Sequence, residues 1–163
     1  MLRVENGKRT QAMVRLVLQK TNKILDGRIP RLITTDEFKA YKTEILRLYG
    51  RRVPVVRKGS RGRFPKDQLL PPENLLYATV HKTREKGRVV HVEDRLQFGT
   101  QEALDRALLL SNRSRHVNTS FIERYNGTDR NMNKRKTRKT YCFSRDWAVH
   151  GSMSKFVMYS YNF

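Results

Sequence analysis

The spacing of apolar side chains over the first third of the chain predicts two helices separated by one short strand. Apolar residues recur every three or four positions over residues 8–25 and again over residues 38–48, which is the period of an amphipathic helix. Between them, residues 31–35 (RLITT) form a short apolar run that predicts a buried strand, and this strand leads directly into Asp36. Gly50 is expected to end the second helix.

The rest of the chain predicts a hairpin followed by three helices. Residues 75–80 are mainly apolar, residues 85–87 (EKG) predict a turn, and apolar and polar side chains alternate over residues 88–98, which indicates a half-exposed antiparallel hairpin. Thr100 is a suitable N-cap for the next helix. Two more helices are expected, over residues 118–133 and near the carboxyl terminus, and their core-facing side chains are expected to include Phe121, Tyr125, Met132 and Trp147.

The position of Asp36 has two interpretations. In α/β folds, ligand sites lie beyond the carboxyl ends of the strands, so a carboxylate directly after a strand is a candidate binding group. Asp is also a common helix N-cap, a role that needs no ligand. The apolar pattern alone leaves both roles open.

Charge adds to this picture, because 35 Lys and Arg residues against 15 Asp and Glu residues give a net charge of +20. Residues 51–72 hold seven basic residues and one acidic residue, and residues 112–145 hold ten basic residues and two acidic ones. The first segment is rich in Pro and Gly, so it is expected to be a basic loop without regular structure. A charge of this size favours a polyanionic partner, and nucleic acid is the first candidate.

Several other features narrow the class of protein. No apolar run approaches the roughly 20 residues that span a bilayer, and no secretory signal follows Met1, so we expect a cytoplasmic protein without membrane association. The single cysteine, Cys142, excludes an intramolecular disulfide, and it is expected to be small and buried. His81 and His91 are expected on the surface of the hairpin.

Glu123 stands out as a carboxylate within the second basic segment. It is either a surface ion-pair partner or a metal ligand beside a phosphate track. Two Mg²⁺ ions that clamp the attacking and leaving oxygens of a phosphodiester need oxygen ligands from different elements of the fold. Asp36 and Glu123 are therefore candidate ligands for a two-metal site.

Three stretches of the chain resemble DDE-type transposases of bacterial insertion sequences, in the short, insertion-sequence-one-like group. They are LITTDEFKAY, LLYATVHKTREKGRVVHVE and NTSFIERYNGTDRNMNKRKTRKTYCFSRDW, and the resemblance covers nearly the whole chain. It implies an α/β fold of the RNase H-like (DDE transposase/integrase) class, with residues 1–163 as a single catalytic domain and an inserted β-hairpin. The implied activity is DNA transposition, through metal-dependent phosphodiester cleavage and strand transfer at the ends of the mobile element.

The resemblance also implies roles for individual residues. Asp36 matches the second catalytic Asp of the family and Glu123 matches its catalytic Glu, and together they would bind Mg²⁺ or Mn²⁺. Asn118 would support the site. The implied partners are insertion-sequence ends, target DNA and further copies of the chain, in the bacterial cytoplasm and nucleoid. The residues implied to support the site or contact DNA are Arg124, Asn126, Arg130, Lys134, Arg135, Lys136, Arg138 and Lys139.

One part of the family pattern is missing. A DDE enzyme needs a first Asp on the first strand of its sheet, and the only acidic residues before Asp36 are Glu5 and Asp26, which lie in predicted turns. We therefore expect the chain to lack the first strands of the fold, and to bind DNA without cutting it by itself. Two alternatives stay open: Glu5 or a partner chain completes the site, or the chain is a non-enzymatic basic DNA- or RNA-binding protein.

Overall fold

The computed structural model describes residues 5, 7–57, 59, 64–111, 114–137 and 139–162. Thr10–Asn118 forms one compact unit, and Thr119–Phe163 forms a second, smaller unit together with Met1–Arg9. The larger unit contains α1 (Gln11–Ile24), β1 (Ile33–Thr35), α2 (Ala40–Tyr49), β2 (Arg51–Val53), β3 (Gln68–Leu70), β4 (Tyr77–Glu85), β5 (Arg88–Phe98) and α3 (Gln101–Leu109). The smaller unit contains α4 (Ser120–Met132), a short 3-10 helix (Lys134–Lys136) and α5 (Trp147–Asn162).

The larger unit is organised around a mixed sheet of three strands in the order β1-β4-β5. β1 runs parallel to β4, with Ile33 opposite Tyr77, and β4 runs antiparallel to β5. The predicted hairpin is confirmed, and its turn places Lys86 and Gly87 at positive φ, as the favoured two-residue hairpin turn requires. Helices and a mixed sheet make this an α/β fold, as the sequence predicts. The single domain over residues 1–163 stays a prediction.

The two faces of the sheet pack differently, because successive side chains of a strand point to opposite sides. On one face, the start of β4 packs with a side chain of α3 in an apolar cluster. On the other face, Tyr77 packs with Ile45 of α2 and with Leu75. The buried members of the first cluster are Leu76, Ala78, Val80, Leu104 and Val117.

The predicted N-cap Thr100 is confirmed, whereas α1 begins after Thr10, a cap that the apolar pattern over residues 8–25 did not predict. The hydroxyls of Thr10 and Thr100 accept hydrogen bonds from the backbone N–H groups of Met13 and Ala103, which begin α1 and α3. Gly50 ends α2 as expected. None of the described helices is both long enough and apolar enough to cross a membrane.

Glu44 of α2 connects that helix to α1. Its side chain is only 1% exposed, and it accepts hydrogen bonds from Gln11 at 2.6 Å, from Arg15 at 2.9 and 3.2 Å, and from Arg47 at 3.2 Å. The hydrogen bond from Arg15 is the largest cause that lowers the pKa of Glu44, against the opposing effect of burial. A carboxylate stays buried only when it is paired, so these contacts fix α1 beside α2.

The basic segment at residues 51–72 differs from its prediction. The sequence predicts no regular structure there, and this is wrong at both ends, because β2 and β3 form an antiparallel ladder with Arg51 opposite Leu70 and Val53 opposite Gln68. Proline interrupts a ladder only at its own position, and the four prolines of the segment lie outside both strands. The described residues between the strands are irregular, as predicted.

The buried stripe of α4 runs through Tyr125 and Asp129 and continues to Asn133, so each member follows the last by one helical turn. The ring of Tyr125 meets that of Tyr161 in α5 edge-on, with centroids 5.1 Å apart. Phe121 and Met132, predicted to face the core, are 51% and 48% exposed, so that part of the prediction is wrong. Two of the three buried positions, Asp129 and Asn133, carry polar side chains, which a pattern of apolar residues does not reveal.

Two further predictions fail near α5. Trp147 is 65% exposed, because it is the first residue of the helix and stacks on the ring of His150, while Ser154 and Val157 fill the buried positions. Cys142 is exposed as well, because it lies in the irregular segment that precedes α5.

We predict that Glu44→Ala lowers the free energy of unfolding of the larger unit by about 2 kcal/mol, because hydrogen bonds to charged groups contribute about 1.5–3 kcal/mol each and two arginines lose their acceptor. Urea denaturation followed by circular dichroism measures this change. Since folding lowers the pKa of Glu44, its contribution is present above the pKa of the unfolded chain and is lost as pH falls through the folded-state pKa.

The matched control for this prediction is Glu102→Ala, which removes an exposed carboxylate from the first turn of α3. Equal losses of stability in the two variants, or a wild-type chain whose stability advantage over Glu44→Ala does not shrink in acid, would contradict the role of Glu44.

Candidate functional site

Asp36 lies directly after β1, at the carboxyl end of a strand that runs parallel to its neighbour. Its side chain is exposed, and its Oδ1 accepts a hydrogen bond from the backbone N–H of Phe38 at 3.4 Å. Lys39 holds the N-cap position of α2 and makes no capping hydrogen bond, so the N-cap interpretation of Asp36 is wrong. Asp36 instead begins a turn that carries the chain from the strand to the helix, as Asp side chains do.

The residue after Asp36 is the centre of a charged network that sequence patterns did not predict. Glu37 accepts a hydrogen bond from Arg95 Nη1 at 3.0 Å, and its other oxygen lies 2.5 Å from His81 Nδ1. Arg95 also donates to Glu93 at 3.0 and 3.1 Å. The hydrogen bond with His81 is the largest cause that lowers the pKa of Glu37. His81, which was expected on the surface of the hairpin, therefore makes a polar contact with the turn that follows β1.

Part of this network can be predicted from the sequence once the register of the hairpin is known. His81 is opposite Glu93, and Thr79 is opposite Arg95, so their side chains share one face of the sheet. The missing information is that the turn after β1 lies over this face, which only the parallel pairing of β1 with β4 supplies.

A cleft of about 490 Å³ lies beside the network. Its apolar side includes Tyr77, whose hydroxyl is 2.7 Å from that of Thr35, and burial is the largest cause that raises the pKa of Tyr77. Its polar side includes Thr79, which accepts a hydrogen bond from Gln97 at 3.3 Å. The other residues that line it are Glu37, Phe38, Lys39, Lys42 and Thr43.

Glu123 lies in the first turn of α4, where the helix dipole stabilises a carboxylate. Its side chain is exposed, and its Oε1 accepts a hydrogen bond from the hydroxyl of Thr119 at 3.0 Å. These contacts give Glu123 a local role at the start of the helix, whether or not it binds a metal.

Asp36 and Glu123 belong to different units, so their joint binding of Mg²⁺ or Mn²⁺ stays a prediction. Their oxygen donors are the type that these hard cations prefer. Within the described ranges, no group of three or more His, Cys, Asp and Glu side chains is arranged to hold a metal ion. Asn118 lies in the larger unit, where its side chain donates to Ser114 Oγ at 2.6 Å and to the carbonyl of His116 at 3.2 Å.

The residues predicted to contact DNA are mostly exposed on the smaller unit, although Arg138 lies outside the described residues. Arg130 Nε donates to the carbonyl of Asn126 at 3.0 Å, which holds the guanidinium against α4. Beyond the helix, Asn133 Oδ1 accepts from the backbone N–H of Arg135 at 3.2 Å and caps the 3-10 helix. The exposed members of the set are Arg124, Asn126, Arg130, Lys134, Arg135 and Lys139.

Lys136 differs from the other predicted DNA contacts. Its Nζ lies 2.7 Å from Asp129 Oδ2, and the two side chains are only 16% and 11% exposed. This ion pair joins the 3-10 helix to α4, so the charge of Lys136 is largely balanced inside the smaller unit. The apolar pattern of α4 does not reveal Asp129, although Lys136 follows it by seven residues, about two helical turns.

No known protein family, curated protein or solved structure matches this chain.

We predict that Lys136→Met lowers the stability of the smaller unit by about 3 kcal/mol, because it leaves the Asp129 carboxylate buried without its counter-charge. Thermal unfolding followed by tyrosine and tryptophan fluorescence measures the change. Lys134→Met is the matched control, since it removes an exposed lysine from the same 3-10 helix. Equal stability of the two variants would show that the ion pair contributes nothing.

Proposed function

We propose that this chain acts on DNA as part of a DDE-type transposase of a bacterial insertion sequence, with an RNase H-like catalytic domain. The observation that carries the proposal is the basic surface of the smaller unit. Arg124, Arg130, Lys134, Arg135 and Lys139 are all exposed there, on α4 and on the segment that follows it.

Electrostatics supports DNA as the partner. A chain with a net charge of +20 attracts a polyanion at long range, and each phosphate that a Lys or Arg neutralises releases condensed counterions. The basic residues named above lie along consecutive turns of the chain, from the first turns of α4 to the residues after the 3-10 helix. Such an arrangement suits a backbone track, where contacts with phosphates position the DNA without reading its sequence.

The position of Asp36 supports the catalytic part of the proposal. It lies at the carboxyl end of a parallel strand, where α/β folds bind ligands, and it matches the second Asp of the family. In this proposal Asp36 and Glu123 supply oxygen ligands, while the basic surface holds the DNA. Bound Mg²⁺ or Mn²⁺ would activate the attacking oxygen and stabilise the leaving one.

A second candidate is a non-enzymatic DNA- or RNA-binding protein. It is favoured by the local contacts of the two carboxylates, since Asp36 accepts from the backbone of Phe38 and Glu123 accepts from Thr119. Both contacts stabilise a turn or a helix start without any metal ion. Metal dependence separates the two candidates, because only the first requires the carboxylates to bind cations.

We predict that Lys134→Met weakens DNA binding in a manner that depends on salt, because it removes one phosphate contact. Its plot of the logarithm of affinity against the logarithm of salt concentration should be shallower than that of the wild type by about 0.9. Fluorescence anisotropy with a labelled duplex measures both slopes. An affinity of the wild type that does not change with salt would contradict the proposed basic track.

We predict that Mn²⁺ tightens DNA binding by the wild type at constant ionic strength, and that the double variant Asp36→Asn, Glu123→Gln loses this effect. Neutral side chains of similar shape keep the fold while removing the charge that holds a cation. Glu102→Gln, on the exposed face of α3, is the control. If the double variant binds as tightly as the wild type or tighter, and neither responds to Mn²⁺, the non-enzymatic candidate is correct.

The same wild-type chain and double variant can be tested for strand cleavage. The resemblance assigns only two of the three catalytic carboxylates to this chain, so we expect no strand cleavage by the chain alone. Specific cleavage of a DNA duplex by the purified wild-type chain with Mn²⁺, lost in the double variant, would show that this expectation is wrong and that a third ligand is present.

A further inference from the structure

The smaller unit contains a cleft that shares only Arg135 with the basic surface described above. It measures about 510 Å³, within the range of about 300–1,000 Å³ that is usual for sites of small ligands. The 3-10 helix contributes one side chain, and the remainder come from the segment that leads into α5 and from its first turn. The lining residues are Arg135, Cys142, Phe143, Arg145, Asp146 and Val149.

Two of the charged side chains that line this cleft are positive and one is negative. Arg135 and Arg145 are both exposed and supply two guanidinium groups. The acidic residue, Asp146, has a structural task, because its Oδ1 accepts a hydrogen bond from the backbone N–H of Ala148 at 2.7 Å at the start of α5. The cleft therefore presents anion-binding groups whose charge Asp146 offsets only in part.

An aromatic ring lies among these cations. Phe143 lines the cleft and is 62% exposed, although burial of a ring of this size would stabilise the fold. Tyr141, two residues earlier, is fully exposed, and Trp147 is exposed and stacked on His150. Exposed rings interleaved with arginines are typical of surfaces that bind single-stranded nucleic acid, where bases stack on rings and cations hold the backbone.

A DNA duplex could contact the arginines of this cleft but not its aromatic ring. The faces of its bases are already stacked on one another, so Phe143 has no base to receive unless a strand is unpaired. Duplex binding through the phosphates needs only the cations and leaves the ring exposed to water. The combination of ring and guanidiniums in one cleft therefore favours a strand whose bases are free.

We propose that this cleft binds single-stranded DNA, with Phe143 stacked on a base and with Arg135 and Arg145 on the adjoining phosphates. The inference deepens the proposed function and rests on it for the choice of DNA, because it adds an unpaired strand to the substrate of the basic surface. Nothing in it requires Asp36, Glu123 or a metal ion, so it can be tested separately.

The chain offers its own probe for this site. Cys142 is its only cysteine, it is exposed, and it lines the cleft. The rate at which N-ethylmaleimide alkylates the full-length chain therefore reports occupancy of the cleft at a single thiol. We expect an oligomer of about twelve thymidines to slow alkylation several-fold, and a blunt duplex at the same phosphate concentration to leave the rate nearly unchanged.

Two matched pairs of variants make the test specific. Phe143→Ala should weaken protection by the thymidine oligomer about tenfold, which is within the range for loss of one stacked base. Tyr141→Ala, which removes a neighbouring exposed ring that does not line the cleft, should not weaken it. Arg145→Gln should weaken protection more than Lys155→Gln, which removes a cation of α5 outside the cleft. Circular dichroism confirms that each variant is folded.

Each outcome decides a separate point. Equal protection by duplex and single strand, or equal effects of Phe143→Ala and Tyr141→Ala, would overturn the inference. Stronger protection by a uridine oligomer than by a thymidine oligomer would overturn the assignment to DNA. If the thymidine oligomer protects Cys142 while no duplex binds anywhere on the chain, the proposed function fails and the single-strand site stands. If a duplex binds and no single strand protects the thiol, the reverse holds.

Discussion

The parallel pairing of β1 with β4 is the interaction on which the larger unit depends. It joins Ile33 to Tyr77 across more than forty residues, and this makes β4 the central strand, with β5 on its other edge. Once β4 is central, its side chains divide between two layers: Ala78 lies in one apolar cluster and Tyr77 in the other. The same pairing leaves the turn at Asp36 beside the hairpin, where Glu37 meets His81 and Arg95.

Buried carboxylates stabilise both units through the same chemistry, and neither is a candidate catalytic residue. Glu44 accepts hydrogen bonds from two arginines and a glutamine and so joins α1 to α2, while Asp129 pairs with Lys136 and joins the 3-10 helix to α4. In a chain with 35 Lys and Arg residues against 15 Asp and Glu residues, an acidic side chain readily forms an ion pair. An acidic residue inside a basic segment is therefore weak evidence for a metal site, and its exposure and partners decide its role.

The two units carry different chemistry. The larger one has a carboxylate at the end of a parallel strand and a polar cleft lined in part by Lys39 and Lys42. The smaller one has exposed cations on α4 and a cleft where Phe143 lies with two arginines. In the proposed function, the first set would take part in chemistry on a phosphodiester and the second would bind the DNA strand. The proposed function needs both, whereas binding of a single strand needs only the second.

The sequence by itself predicted most of the helices and the hairpin of this protein, and its charge favours a polyanionic partner. Periodicity located α1, α2, α3 and the hairpin, Thr100 marked the start of α3, and the excess of Lys and Arg favours a polyanion, because these signals are local or additive. Tertiary structure decided which side chains are buried. Asp129 replaced Phe121 and Met132 on the buried face of α4, and Trp147 and Cys142 became exposed, because burial depends on residues that are distant in sequence. It also decided that residues 51–53 and 68–70 pair, that Lys136 binds a carboxylate, and that Glu37 meets His81, since each contact joins side chains or strands whose distance no local pattern encodes.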